Sequence, residues 1–270
     1  MQRALLYQVG DPGPEGFETM REELRLAESL GLDAVWCFPN AGEAGDFGEG
    51  APAIWLAALA PSTERIRLGW GLPGLLPPMR PPIREAEQAA SLDIAASGRL
   101  ELALLPVGAL EGTDERPWDE GLRMLVAMWE APVFSWASER FRVAPVSVVP
   151  RPEQRPHPPL HLAGWTPDHA RRAGQGGLAY VDLSGADDET LEVHLAAYTE
   201  GRSEADPEDL VAASGFAAAC ELEPGPAAEA RLRAWETMGV DQAILRAGPL
   251  DGGHDEARER IRFLAGVVLD

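Results

Sequence analysis

The chain has 270 residues and a formal net charge of −21, a length that suits one α/β barrel and can bury a core without disulfide or metal staples. So acidic a molecule repels phosphate backbones and anionic lipid, which argues against nucleic acid or a membrane surface as partner. All 23 basic residues are arginine, and the lack of lysine excludes a Schiff-base mechanism, a pyridoxal phosphate anchor and a phosphate-loop lysine.

Short β-like runs alternate with amphipathic helices, the mark of parallel βα units. Residues 4–8 read as strand one. After a Pro/Gly loop, Phe17, Met20, Leu24, Ala27 and Leu30 recur at helical spacing, and Gly31 stops that helix. Residues 33–38 (DAVWCF) read as strand two and residues 39–50 as a loop rich in glycine and acid. Pro52 opens a helix to about residue 60. Residues 65–70 (RIRLGW) are strand three, followed by a loop stiffened by Pro73, Pro77, Pro78, Pro81 and Pro82. A helix over 85–96 ends at Ser97 and Gly98; strand four covers 99–105 and a helix 119–130. Residues 134–159 hold six prolines and are expected to be an irregular excursion.

Residues 160–163 are strand five. Thr166, Pro167 and Asp168 then combine a capping hydroxyl, a first-turn proline and an acid at a helix start. Strand six covers 178–183 and its helix 189–200; strand seven lies within 210–222. Gly225-Pro226 opens a helix that Gly239 closes, strand eight is 241–246, and the last helix is 254–267. Eight units result with no dividing linker, so a single (β/α)8 TIM barrel domain over residues 1–270 is expected.

No window approaches the ~20 apolar residues of a membrane span and no signal-peptide pattern opens the chain, so a cytoplasmic protein is expected. Cys37 and Cys220 form no metal or redox spacing and read as buried thiols. In such a barrel the site lies at the C-terminal strand ends. Trp70 and Trp165 there are flat apolar surfaces for a planar ring, or ordinary packing residues. Gly71 and Gly164 stand at the same ends. The helix starts at Trp165-Thr166 and at Gly225 offer free N–H groups to a phosphate, with Arg246 adding charge, although simple capping also explains Thr166. Asn40, Asp46 and Asp182 are the polar candidates for catalysis, each with a loop or capping role as the alternative. Glu153, His157 and His161 are four apart, but the prolines around them forbid a helix and no metal site is expected. His169, His194 and His254 are expected on helix surfaces.

Five stretches, in order, resemble the luciferase-like monooxygenases, flavin enzymes related to bacterial luciferase that group with the deazaflavin (F420) dependent reductases. They are MREELRLAESLGLDAVW (20–36), TERIRLGW (63–70), EAEQAASLDIAASGRL (85–100), VVPRPEQRPHPPLHLAG (148–164) and GPAAEARLRAWETMGVDQAILR (225–246). The resemblance implies a luciferase-like barrel, FMN or F420 as cofactor and a small-molecule substrate. It also implies a homodimer packed through early helices, where residues 53–60 offer an alanine-rich face. Three departures stand out. Many members carry a histidine motif after strand two, where this chain reads Phe38-Pro39-Asn40-Ala41. The family's glycine-rich turn after strand four is here the bulkier LLPVG (104–108), and the stretch after strand seven is short where members often carry an insertion over the flavin. The resemblance therefore implies an oxidoreductase or, as the alternative, a non-catalytic member that binds flavin or another small molecule passively or serves as a partner subunit.

Overall fold

The computed structural model describes residues 1–9, 13–41, 47–48, 51–73, 82–106, 117–185, 187–205, 215–247 and 254–267. In chain order the elements are β1 (Gln2–Val9), α1 (Gly13–Ser29), β2 (Ala34–Ala41), β3 (Phe47–Gly48), α2 (Pro52–Leu59), β4 (Arg67–Pro73), α3 (Pro82–Ala95), β5 (Leu100–Leu105), α4 (Pro117–Glu130), β6 (Phe134–Ala137), β7 (Arg142–Val146), β8 (Leu160–Gly164), α5 (Pro167–Gln175), β9 (Ala179–Asp182), α6 (Asp188–Glu204), β10 (Phe216–Cys220), α7 (Pro226–Met238), β11 (Gln242–Arg246) and α8 (His254–Gly266). Eight of the strands are parallel neighbours in the order β1-β11-β10-β9-β8-β5-β4-β2, and β1 pairs with β2 to close the barrel.

Side chains alternate across each strand, so every second residue faces the lumen. Ala4, Leu6, Ala34, Trp36, Phe38, Ala103, Leu105, Ala163, Val181, Ala217, Ala219 and Ile244 form that inner cluster. Bulk is unevenly shared. β2 supplies two aromatic rings, Trp36 and Phe38, 5.8 Å apart, while the adjoining β4 supplies Gly69 and Gly71. A Cβ at Gly69 would lie 2.1 Å from the Trp36 ring, and one at Gly71 would lie 2.2 Å from the Phe38 ring. Close packing around a barrel axis requires small residues opposite large ones, and the two glycines meet that need. The intervening residues, among them Leu5, Val35, Leu68, Trp70, Leu72 and Leu245, face outward and pack with Met20, Leu24, Leu56, Trp235 and Ile261 of the helices.

The N-terminal end of the lumen is polar. Arg67 Nε pairs with Glu101, and His161 Nε2 stands 3.3 Å from the other carboxylate oxygen. Arg67 also donates to Gln154 Oε1 at 3.2 Å, and Gln154 donates in turn to Asp93 at 2.7 Å. The Trp36 indole N–H donates to Gln242 Oε1 at 2.9 Å, and the His161 ring meets Trp36 edge-on at 5.1 Å. Burial by itself would raise the Glu101 pKa, but His161 and Arg67 outweigh it and hold the carboxyl below its ordinary range.

Among the departures from the sequence expectation, two segments change type. β2 continues to Ala41, through residues expected in a loop, because Asn40 and Ala41 pair antiparallel with Gly48 and Phe47. The proline-rich excursion contains the antiparallel ribbon β6–β7, with Phe134 opposite Val146 and Trp136 opposite Val143. A two-stranded ribbon leaves outer edges on which a proline such as Pro145 costs no ladder bond, so proline density misleads there.

Candidate functional site

Lumen-facing positions at the C-terminal end build the mouth. Phe38 and Leu105 are 3% and 5% exposed and form its apolar floor, and Leu183 packs against the same inner cluster. β11 carries Arg246 inward, one position beyond the outward-facing Leu245. Its Nη1 donates to Gln8 Oε1 at 2.8 Å, and its Nε lies 3.6 Å from Glu221. The guanidinium thus stays partly open to solvent while two neighbours hold its direction.

The rim comes from the helix starts. Trp165, after β8, is 44% exposed and meets the His169 ring edge-on at 5.2 Å. Thr166 is the N-cap of α5, its hydroxyl accepting from the His169 N–H at 3.2 Å. Gly164 faces outward, and a Cβ on it would lie 2.7 Å from His169, so glycine lets that helix seat on the strand end. Gly225 is the N-cap of α7 and offers no side-chain cap, which leaves the first-turn N–H groups able to meet an anion.

Three sequence candidates lie elsewhere than at the mouth. Trp70 is buried in the layer between sheet and helices with Leu68 and Leu72. Gly71 faces the lumen, but the Phe38 ring occupies the space before it. Asp182 ends β9 facing outward, 1% exposed, with its carboxylate against α6. The backbone of Asn40 stands at the end of β2 in register with Gly48. Asp46 lies outside the described residues.

His194 corrects an expectation. Instead of lying on a helix surface it is 3% exposed, its Nδ1 2.5 Å from Asp182 Oδ2. The cause is the close seating of α6 on α5: a Cβ at Gly174 would lie 2.3 Å from the Tyr198 carbonyl, and one at Gly201 would lie 2.1 Å from the Arg171 carbonyl. Leu191, His194, Tyr198 and Gly201 form the buried stripe of α6. That helical spacing was present in the sequence, hidden because only one of the four is an aliphatic residue.

The other reactive side chains are held by the fold. His157 is buried, with its Nδ1 2.8 Å from the Pro158 carbonyl oxygen, and among the described residues no group of three or more His, Cys, Asp or Glu is arranged to hold a metal. Burial pushes the Cys220 thiol up to about 12 and Cys37 higher still, so neither is a ready thiolate. Tyr7 faces α1 and donates to Glu23 at 2.7 Å; burial, then the Glu23 carboxylate, raise its phenol well above the usual value.

The profile of the luciferase-like monooxygenases matches residues 4–263. The chain belongs to that family. Over 199 residues it is 32% identical to an F420-dependent glucose-6-phosphate dehydrogenase of Beutenbergia cavernae, a match covering 67% of this chain and 57% of that protein. Over 174 residues it is 28% identical to the oxygenase component of a flavin-dependent trigonelline monooxygenase of Acinetobacter baylyi, covering 60% and 47%. The chain thus spans about half the length of these curated relatives. The crystal structure of the monooxygenase RslO1 from Streptomyces bottropensis superposes with a TM-score of 0.78 at 21% identity, covering 99% of this chain and 98% of that one. An F420-dependent secondary alcohol dehydrogenase in complex with an F420–acetone adduct superposes with a TM-score of 0.72 at 16% identity, with the same coverage. At these identities the likeness shows a shared barrel.

Proposed function

We propose that the protein is an oxidoreductase that uses reduced FMN or F420 on a small organic molecule at the C-terminal mouth of the barrel. The observation that carries this reading is the pairing of an apolar floor, Phe38 and Leu105, with an oriented guanidinium, Arg246. A planar and largely apolar ring with an anionic tail suits that combination. When bound, such a cofactor supplies hydride transfer in the case of F420, or oxygen activation in the case of reduced FMN.

The protein's own residues supply position and dryness. Phe38 and Leu105 keep water out of the lumen below. Trp165 offers a flat face at the rim. Arg246, steered by Gln8 and Glu221, and the start of α7 at Gly225 attract negative charge, while Thr166 secures the start of α5. Asn40, at the end of β2, is assigned to orienting the substrate. A second copy of the chain is proposed to pack on α2, which has no charged residue and leaves Ile54 69% exposed. Among the described residues no helix is long and apolar enough to cross a membrane.

One feature favours a second reading. The described lumen-facing polar groups at the mouth are Gln8, Glu221 and Arg246, without a histidine, which suits a non-catalytic member that binds the ring passively or acts as a partner subunit. Titration with FMN, reduced FMN and F420, followed by absorbance and fluorescence, tests both. Saturable binding of at least one supports the site, and failure of all three overturns it. Binding without turnover across a panel of alcohols, ketones and aromatic amines would select the second reading.

A further inference from the structure

The buried Asp182 carboxylate joins three parts of the rim. Its Oδ2 meets His194 Nδ1 of α6 at 2.5 Å, and its Oδ1 accepts the Ser184 N–H at 2.9 Å and the Ser184 hydroxyl as well. Between them Leu183 turns into the mouth, and its N–H donates to the Gly164 carbonyl at 2.7 Å, beside Trp165. α6 is fastened at its start to α7, where Asp188 accepts from Arg231 at 2.7 Å and from Trp235 at 3.0 Å. One helix therefore links the turn after β9, the strand end beneath Trp165, and the helix whose start faces the mouth.

We propose that His194 is a positioning residue for the mouth. By donating to Asp182 it orients the carboxylate that closes the Leu183–Ser184 turn, and that turn sets both the apolar wall and the rim beside Gly164. A buried carboxylate without its partner would rotate toward other donors or take up water, and the turn would lose its template. The role depends on the proposed function only for what the rim holds; the claim about the turn stands on the cofactor-free protein.

The experiment compares wild type, His194→Leu and His194→Asn, the last retaining an N–H donor near the place of Nδ1. Hydrogen exchange of the cofactor-free proteins reads the amides of 183 and 184, and titration with FMN and F420 reads affinity. His194→Leu should exchange at 183 and 184 at least about tenfold faster than wild type while amides of α2 are unchanged, and its affinity for the bound cofactor should fall about tenfold. His194→Asn should restore much of both. Wild-type exchange at 183 and 184 in folded His194→Leu, or uniform acceleration along the chain, overturns the proposal. If His194→Leu does not fold, His194→Phe, closer to imidazole in volume and without an N–H donor, takes its place: selective loss of protection at 183 and 184 supports the proposal and none overturns it. Should wild type bind neither cofactor, the functional reading fails alone and the exchange data still decide the role of His194.

Discussion

At the N-terminal end of the lumen the charged groups are turned toward one another. Glu101 stands between Arg67 and His161, and Trp36 and Gln242 satisfy each other beside them. At the C-terminal end, among the described residues, Arg246 meets a neutral amide at 2.8 Å and an exposed carboxylate at 3.6 Å, above an apolar floor. The same alternation of side chains produced both ends, so the difference lies in how closely the charges pair and how far their carboxylates are buried. A buried ion pair inside the barrel is shut away from a ligand, whereas an accessible cation with one exposed, loosely placed carboxylate partner can exchange that partner for a ligand anion.

The largest expected effect lies between the two ends. Trp36→Ala empties the centre of the lumen, where Gly69 has no side chain to replace it, and should cost about 4 kcal/mol in denaturant unfolding. A loss below about 1 kcal/mol would show that the lumen collapses around the gap. Next comes Glu101→Gln, which leaves Arg67 and His161 facing a neutral amide and should cost about 3 kcal/mol at neutral pH. Its pH dependence has a definite sign. The folded carboxyl titrates below its unfolded value, so its contribution is complete above the ordinary carboxylate range and is lost as pH falls through the folded value. Urea melts should therefore show the gap between wild type and Glu101→Gln narrowing below about pH 4.

A smaller effect is expected at the mouth floor. Gly71→Ala pushes on the Phe38 ring and should cost about 2 kcal/mol, and Phe38→Leu should relieve part of that loss in the double variant. Additive losses would mean the two side chains do not share that space. Smallest in stability is Arg246→Gln, expected within about 0.5 kcal/mol of wild type. Its affinity for FMN or F420 should nevertheless fall about tenfold. The reverse outcome, a large stability loss with unchanged affinity, would make the mouth a second structural network and erase the contrast between the ends.

The order of the eight barrel strands and their helices was legible, down to the Thr166 cap and the Gly31 and Gly239 stops, because caps and periodicity are local, whereas β3 and the β6–β7 ribbon were not. The candidate site was legible only in part. Arg246 and Trp165 were chosen as strand-end residues, and they stand at the mouth and its rim. Trp70 was chosen by the same rule and is turned to the helices, and so is Asp182. His194 was passed over because its burial follows from the approach of α6 to α5 at Gly174 and Gly201, two helices brought together only in the fold.

By itself the amino-acid sequence determined the eight barrel strands, their helices, their order and hence the barrel, since hydrophobic period, caps and turn residues act within a few residues of each other. Only the tertiary structure decided which face of each strand looks into the lumen. In a parallel barrel both faces of a strand are buried and apolar, so period-two alternation groups residues into faces without saying which face is inside. Closure of the sheet makes that choice, placing Trp36 and Phe38 opposite Gly69 and Gly71 and leaving Trp70 outside.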